Sequence, residues 1–92
     1  MLTIKPAADT PLVLTFDDTV LEIFKIGGSH RLHASLITSL ELKTDKKGKY
    51  TLDINDVGGY VLQGRAVDDA SVPKVKEMIE AVEQAKAAFH FD

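Results

Sequence analysis

Residues 12–26 read LVLTFDDTVLEIFKI, and they decide the fold because they contain two short strands and the turn between them. Leu12, Leu14 and Phe16 occupy alternate positions, as expected of a strand with one apolar face. Residues 17–19 supply turn chemistry, because aspartate side chains hydrogen-bond to nearby backbone groups. The β-branched and aromatic residues that follow predict the second strand. This stretch therefore indicates an antiparallel hairpin.

Short strands separated by turn residues continue along the chain. They are predicted at residues 2–5, 30–33, 36–43, 50–55 and 60–67. A break in the alternation at residues 38–39 predicts a bend or bulge, and Gly64 predicts a bulge or a close backbone approach in the last strand. The connections are too short for the crossovers that parallel strands need, so we expect antiparallel hairpins.

The C-terminal part of the chain has the period of an amphipathic helix. The apolar residues of its stripe are Val75, Met78, Ile79, Val82, Ala85 and Phe89. Ser71 is the expected N-cap, and Pro73 lies in the first turn, where its missing N–H costs nothing. The predicted order is an N-terminal strand and loop at 1–11, antiparallel strands at 12–67 and a helix at 71–90.

This order of elements predicts a single α+β domain over residues 1–92. Several strands carry apolar residues on both faces, which a flat sheet with one buried face does not require. We therefore expect an antiparallel bent sheet or split barrel of six or seven strands, capped by the C-terminal helix.

Composition narrows the classes of function. The chain has 14 acidic and 11 basic residues and a net charge of -3, so a nucleic-acid partner is not expected. It has no cysteine, which excludes disulfides and thiolate metal sites and fits a reducing compartment. The first residues do not have the pattern of a signal peptide, and no segment approaches the length of a membrane span. We therefore expect a cytoplasmic protein.

Three parts of the sequence, taken together, are typical of one family. The first is LVLTFDDTVLEIF at residues 12–24 with HRLHASLITSLEL at 30–42. The second is KYTLDI at 49–54, followed by a glycine turn and YVLQGRAV at 60–67, and the third is DDASVPKVKEMIEAVEQA at 68–85. This progression resembles the bacterial pleckstrin-homology-like (PH-like) domains. The resemblance implies a split barrel capped by a helix and no single ligand, because such folds serve as lipid readers, peptide readers and scaffolds.

Basic residues near two predicted turns form the candidate ligand-binding set. They are Lys25, Arg31, Lys43, Lys46, Lys47 and Lys49. In pleckstrin-homology domains proper, a basic loop between early strands holds the phosphates of an inositol headgroup. Here the basic loop comes later and contains Asp45, so that motif does not carry over. A solvated turn that contributes only solubility is the alternative interpretation.

No arrangement of residues indicates a catalytic, metal or cofactor site. His30 and His33 have no third ligand at a suitable spacing. The paired carboxylates, such as Asp53 and Asp56, lie at predicted turns or strand ends. The chain has neither a phosphate-binding glycine loop nor a serine nucleophile elbow. We predict no catalytic residue, no metal and no cofactor.

Three functions from different classes remain. The favoured one is a non-enzymatic protein-interaction module that binds a segment beside a strand edge or in the groove next to the helix, and self-association is predicted for the same reason. Phe91, expected beyond the helix end, is the candidate protein contact, and packing against the barrel mouth is the other interpretation of it. The alternative function is a peripheral membrane module whose basic residues face anionic lipid. The third is a small enzyme.

Overall fold

Seven antiparallel strands and one long helix form the computed structural model, which describes residues 1–88. The strands are β1 (Leu2–Ile4), β2 (Val13–Asp17), β3 (Val20–Lys25), β4 (Gly28–His33), β5 (Ile37–Thr44), β6 (Tyr50–Asp56) and β7 (Gly59–Val67). Short 3-10 turns at Ala34–Leu36 and Asp69–Ser71 precede β5 and the helix α1 (Val72–Ala87). The predicted α+β class is confirmed.

The strands β1 to β4 form the first sheet, in chain order. Leu14 lies opposite Ile23, and Phe16 lies opposite Leu21. All four side chains are buried. Because opposite residues of an antiparallel ladder share a face, this register places one whole apolar face of the sheet in the core. The hairpin predicted from residues 12–26 is confirmed.

The strands β5 to β7 form the second sheet, and its ladders are interrupted. Between β5 and β6 the register shifts between Ile37 and Ser39, where the sequence predicts a bend or bulge. Between β6 and β7 it shifts between Leu52 and Ile54. The extra residues on β7 include Gly64, whose φ of 63° lies in the left-handed region that favours glycine. The sequence located these two irregularities, whereas a third, between Ile54 and Asn55 in the pairing of β6 with β7, was not predicted.

The strands divide into two sheets, whereas the sequence predicted a single bent sheet or a split barrel. The 3-10 turn Ala34–Leu36 separates β4 from β5, and no ladder joins these two strands within the described residues. The N–H of Ala34 donates to the carbonyl of Thr19 at 2.7 Å, which fixes the turn to the β2–β3 connection. This contact extends the pairing of β3 with β4 by one residue beyond Val20 and His33, and the 3-10 turn that follows it has no signal in strand periodicity.

Helix α1 packs against the first 3-10 turn, β5 and β1. Its buried side chains are Val72, Val75, Met78 and Val82. The helix was predicted over 71–90; it begins at Val72 and its assigned span ends at Ala87, whereas residues 89–92 lie outside the described part. In the region that is described, no helix is both long and apolar enough to cross a membrane.

Hydrogen bonds join the segment after β1 to the segment after β7. The N–H of Asp68 donates to the carbonyl of Pro6 at 2.8 Å, and the N–H of Ala8 donates to the Asp68 carboxylate at 2.8 Å. The Ser71 hydroxyl donates to the carbonyl of Lys5 at 3.2 Å. Ser71 is the N-cap residue of α1 as predicted, but its side chain makes no cap hydrogen bond and is used in this contact instead. We call these bonds the clasp.

Candidate functional site

Among the described residues, the charged residue that is buried is Asp53 in β6, with 7% of its surface exposed. One carboxylate oxygen accepts the Gly64 N–H at 2.6 Å. The other lies 2.9 Å from the Lys43 Nζ. Since the β7 bulge turns the Gly64 N–H out of the regular ladder, the carboxylate supplies the acceptor that β6 would otherwise provide.

This arrangement fixes the charges of Asp53 and Lys43. The Gly64 N–H and then the Lys43 ammonium lower the pKa of Asp53 below its ordinary value of 3.8. The hydrogen bond and charge of Asp53, with a smaller contribution from Glu41, raise the pKa of Lys43 above its ordinary value of 10.5. Both groups are therefore held in their charged forms, which suits a structural ion pair and does not suit proton transfer near neutral pH.

The predicted basic set is divided among separate parts of the structure. Lys43 contacts Asp53 and also Glu41, at 3.4 Å. Arg31, on β4, lies 3.8 Å from Glu22 on β3. Lys25 is the last residue of β3, at the opposite end of that strand from the β2–β3 turn. The structure thus gives two of the six cations acidic partners and places Lys25 on a different sheet from the lysines of the β5–β6 turn.

The β5–β6 turn holds the other three cations. Asp45 accepts the backbone N–H groups of Lys47 at 2.8 Å and Lys49 at 2.9 Å through one carboxylate oxygen. The side chains of Lys46, Lys47 and Lys49 form no ion pair with a described residue. Asp45 therefore organises the backbone of the turn and leaves its lysines exposed to solvent, so lipid binding by this turn stays a prediction.

The His33 side chain contacts the 3-10 turn (Ala34–Leu36) that connects the two sheets. Its Nδ1 accepts the Ser35 N–H at 3.2 Å and lies 2.8 Å from the Ser35 Oγ. It thereby caps the 3-10 turn. His30 is exposed on β4. Nowhere in residues 1–88 do three or more histidine, aspartate or glutamate side chains gather as a metal site would require.

The strand β7 forms one edge of the second sheet. β7 has nine residues and pairs with β6 on one side, and no described strand pairs with its other side. Residues 63–66 are all exposed, and Tyr60 near the start of the strand is 62% exposed. Phe91, the predicted protein contact, lies outside the described residues and stays a prediction.

Two clefts lie at the end of the molecule where β7 finishes. The first, which we call the basic cleft, has a volume of about 140 Å³ and is lined by Thr10, Pro11, Leu12, Lys25, Ile26 and Arg65. The second, the acidic cleft, has a volume of about 430 Å³ and contains Asp9, Asp68 and Asp69 together with Lys49. The loop that follows β1 contributes to both clefts, so neighbouring surfaces of opposite charge adjoin β7.

A shallow groove of about 400 Å³ lies beside the helix, where the sequence predicted one. Leu2 and Phe16 of the first sheet and Ala81 and Ala85 of α1 line it. Met1, Asp18 and Gln84 complete its lining, and the groove is open, so it does not enclose a partner in the way that a deep pocket does.

The sequence interpretation missed Arg65. Leu62 and Arg65 both lie opposite apolar residues of β6, Ile54 and Leu52, although they are three positions apart. A regular strand would place residues at that spacing on opposite faces. The bulge at Gly64 reverses the alternation, so counting the predicted bulge as one extra residue is the signal that could have placed Arg65 on the core-facing side.

The chain was compared with models of protein families, with curated proteins and with solved structures, and none of the three comparisons finds a match.

Proposed function

We propose that this domain is a non-enzymatic protein-interaction module that adds an extended segment of a partner to the edge of β7. The open edge of this nine-residue strand is the observation that carries the proposal. An edge strand presents unpaired N–H and C=O groups, and a partner strand satisfies them through main-chain hydrogen bonds. Tyr60, exposed beside this edge, supplies apolar contact area of the kind that binding surfaces use.

The bulge at Gly64 supports selective rather than general pairing. A bulge twists an edge strand and interrupts the row of groups that an incoming strand can follow. The Asp53 carboxylate holds the Gly64 N–H at 2.6 Å and so fixes the interruption. A partner segment must therefore match a broken edge, which excludes most extended chains.

The proposal includes a PH-like arrangement for the fold. Four strands, then three strands, then a helix follow one another along the chain, and this order supports a split barrel capped by its last element. Peptide binding beside a strand edge is one of the uses of such folds, but the β7 edge and not the fold is what supports it here. We also place the domain in the cytoplasm, in keeping with a chain that has no cysteine.

Anionic lipid is the rival partner, and it would be bound through Lys46, Lys47 and Lys49. Each lysine near an anionic membrane contributes about 1 kcal/mol. This attraction is screened by salt, whereas main-chain hydrogen bonding to an edge strand is not. Ionic strength therefore separates the two functions.

The test uses the tagged domain as bait in an extract of its source cells. The edge variant carries Gln63→Lys and Ala66→Lys, because lysines on an edge strand oppose strand addition. The control variant carries Ala87→Lys and Ala88→Lys, which add the same charge at exposed positions at the end of the helix. We expect the native domain and the control to capture the same protein at both low and high salt, and the edge variant to lose it.

Three results would contradict the proposal or redirect it. Equal capture by the edge variant would remove β7 as the binding surface. Binding to phosphatidylserine vesicles that disappears at high salt, and in a triple variant with Lys46→Gln, Lys47→Gln and Lys49→Gln, would replace the protein partner with lipid. If light scattering shows a dimer that the edge variant converts to a monomer, the partner is a second copy of this chain.

A further inference from the structure

Two cations occupy positions on the core-facing sides of the two sheets. Lys25 follows the buried Ile23 by two residues in β3, so both lie on the same face of the first sheet. Arg65 lies opposite the buried Leu52 and so shares its face of the second sheet, although the Arg65 side chain itself is exposed. Apolar side chains normally fill such positions, and departures from the local pattern concentrate at functional sites.

The two cations meet in the basic cleft. Leu12, which is 3% exposed, also lines the cleft. No carboxylate of the described residues lines this cleft, and neither Lys25 nor Arg65 forms an ion pair with a described residue. Like charges around one cleft repel each other, and an anion between them relieves the repulsion.

The acidic cleft differs in its lining, because carboxylates line it together with a cation. There, Lys49 is accompanied by three aspartates, so its charge has acidic neighbours within the same cleft. Lys43 is likewise accompanied by Asp53 and Glu41. The chain as a whole carries a net charge of -3, yet no carboxylate of residues 1–88 lines the basic cleft.

We propose that the basic cleft binds a carboxylate side chain of the partner segment that adds to β7. This inference rests on the proposed function, because Arg65 belongs to β7 and a strand laid along that edge passes the cleft. A guanidinium matches a carboxylate with two parallel hydrogen bonds, and Lys25 adds a second positive charge.

The size and lining of the cleft favour a carboxylate on an apolar stem over a phosphate. The volume is about 140 Å³, and Pro11, Leu12 and Ile26 contribute to the lining. A doubly charged phosphate loses more hydration than a carboxylate when it enters a small cleft with apolar sides. The partner is therefore an extended segment with a glutamate or aspartate at the position that faces Arg65.

The test is a titration of the ¹⁵N-labelled domain followed by NMR. The probes are a blocked valine-glutamate-valine tripeptide and its valine-glutamine-valine counterpart, which differ in charge and hardly in shape. Inorganic phosphate and phosphatidylserine vesicles are titrated separately. The variants are Lys25→Gln and Arg65→Gln, and the control carries Lys74→Gln and Lys76→Gln on the exposed face of α1.

We expect the glutamate peptide to shift the amide signals of Gly27, Gly28 and Arg65 and to bind about tenfold more tightly than the glutamine peptide, the ratio that corresponds to one charge-assisted hydrogen bond. Lys25→Gln and Arg65→Gln should each remove this preference, and the control should keep it. A native domain with no preference, or a preference that survives both variants, would overturn the inference.

Phosphate or vesicles that shift the same signals at lower concentration than the glutamate peptide would also overturn it, in favour of a phosphate ligand. These failures are distinguishable from failure of the proposed function. Loss of the glutamate preference leaves capture by the native domain and its sensitivity to the edge lysines unchanged, whereas capture that ignores the edge lysines contradicts strand addition itself.

Discussion

The first sheet is regular, and the second sheet is interrupted. From Val13 to Asp17, every residue of β2 has one partner on β3, whereas the pairing of β6 with β7 shifts between Leu52 and Ile54. The regular ladder keeps its apolar residues on one face and serves the core. The interrupted ladder buries a carboxylate, Asp53, and brings a cation, Arg65, to the core-facing side. Irregular pairing is thus what gives the second sheet its polar chemistry.

The largest effect tests whether the two sheets share one core. Ile23 in the first sheet and Ile54 in the second are both 0% exposed. Replacing either by alanine should lower the free energy of unfolding by about 2–5 kcal/mol, through lost burial and the cavity left behind. Urea unfolding should be followed by circular dichroism and by tyrosine fluorescence, because Tyr50 and Tyr60 both lie in the second sheet.

With one shared core, Ile23→Ala shifts the tyrosine transition as far as the circular dichroism transition. A tyrosine transition that keeps its native midpoint in this variant would show that the second sheet is stable alone.

The next effect concerns the carboxylate that holds the bulge. Asp53→Ala leaves the Gly64 N–H without its acceptor and Lys43 without its closest partner, so we expect a loss of about 1–3 kcal/mol. Glu41→Ala is the matched control, because Glu41 also contacts Lys43 but is exposed, and it should cost less than about 1 kcal/mol. Thermal or urea unfolding measures both. Equal losses in the two variants would mean that the Gly64 hydrogen bond contributes nothing.

A smaller effect tests the backbone of the bulge itself. Gly64→Ala introduces a Cβ that meets no atom within 4 Å, so the cost is conformational and not steric contact with neighbours. A residue other than glycine at this φ should lower the free energy of unfolding by about 1–2 kcal/mol. Gly64→Asn should lower the free energy of unfolding by less, because asparagine tolerates the left-handed region better. If alanine and asparagine were both neutral in urea unfolding, the bulge would not require the left-handed conformation.

The smallest effect is the pH dependence that the bulge confers on the second sheet. The pKa of Asp53 is lowered on folding, so its ionised form stabilises the protein above the ordinary aspartate value of 3.8. This contribution is lost as the pH falls through that value towards the lowered pKa. The difference in unfolding free energy between the native protein and Asp53→Asn should therefore shrink as the pH falls from about 6 to about 3. A difference that stays constant would show that ionisation of Asp53 does not contribute to the loss of stability at low pH.

Local periodicity made the regular sheet and the helix predictable. The hairpin at 12–26 follows from alternation, and the stripe that contains Val75 and Val82 follows from helical spacing. Even the bulge at Gly64 was accessible, because an isolated glycine in a strand marks such a site. These features depend on neighbours within a few residues, which a single sequence displays directly.

Contacts between distant segments were not predictable. Leu36 was placed in a strand but lies in a 3-10 turn and is 45% exposed, because the turn is anchored to Thr19. Serine is a typical N-cap residue, yet the Ser71 hydroxyl donates to the carbonyl of Lys5. For the candidate site, Lys25 was identified as a cation, but its position beside Arg65 depends on how the two sheets face each other. No local pattern encodes that arrangement.

The clasp has a consequence for the order in which the chain acquires its structure during synthesis. Its side-chain bonds connect positions 60 and 66 residues apart, so closing it requires a long loop and cannot precede translation of residues 68–71. The local hairpins of both sheets have no such delay. On the ribosome, residues 5–8 therefore cannot form these bonds until residues 68–71, which directly precede α1, have been synthesised.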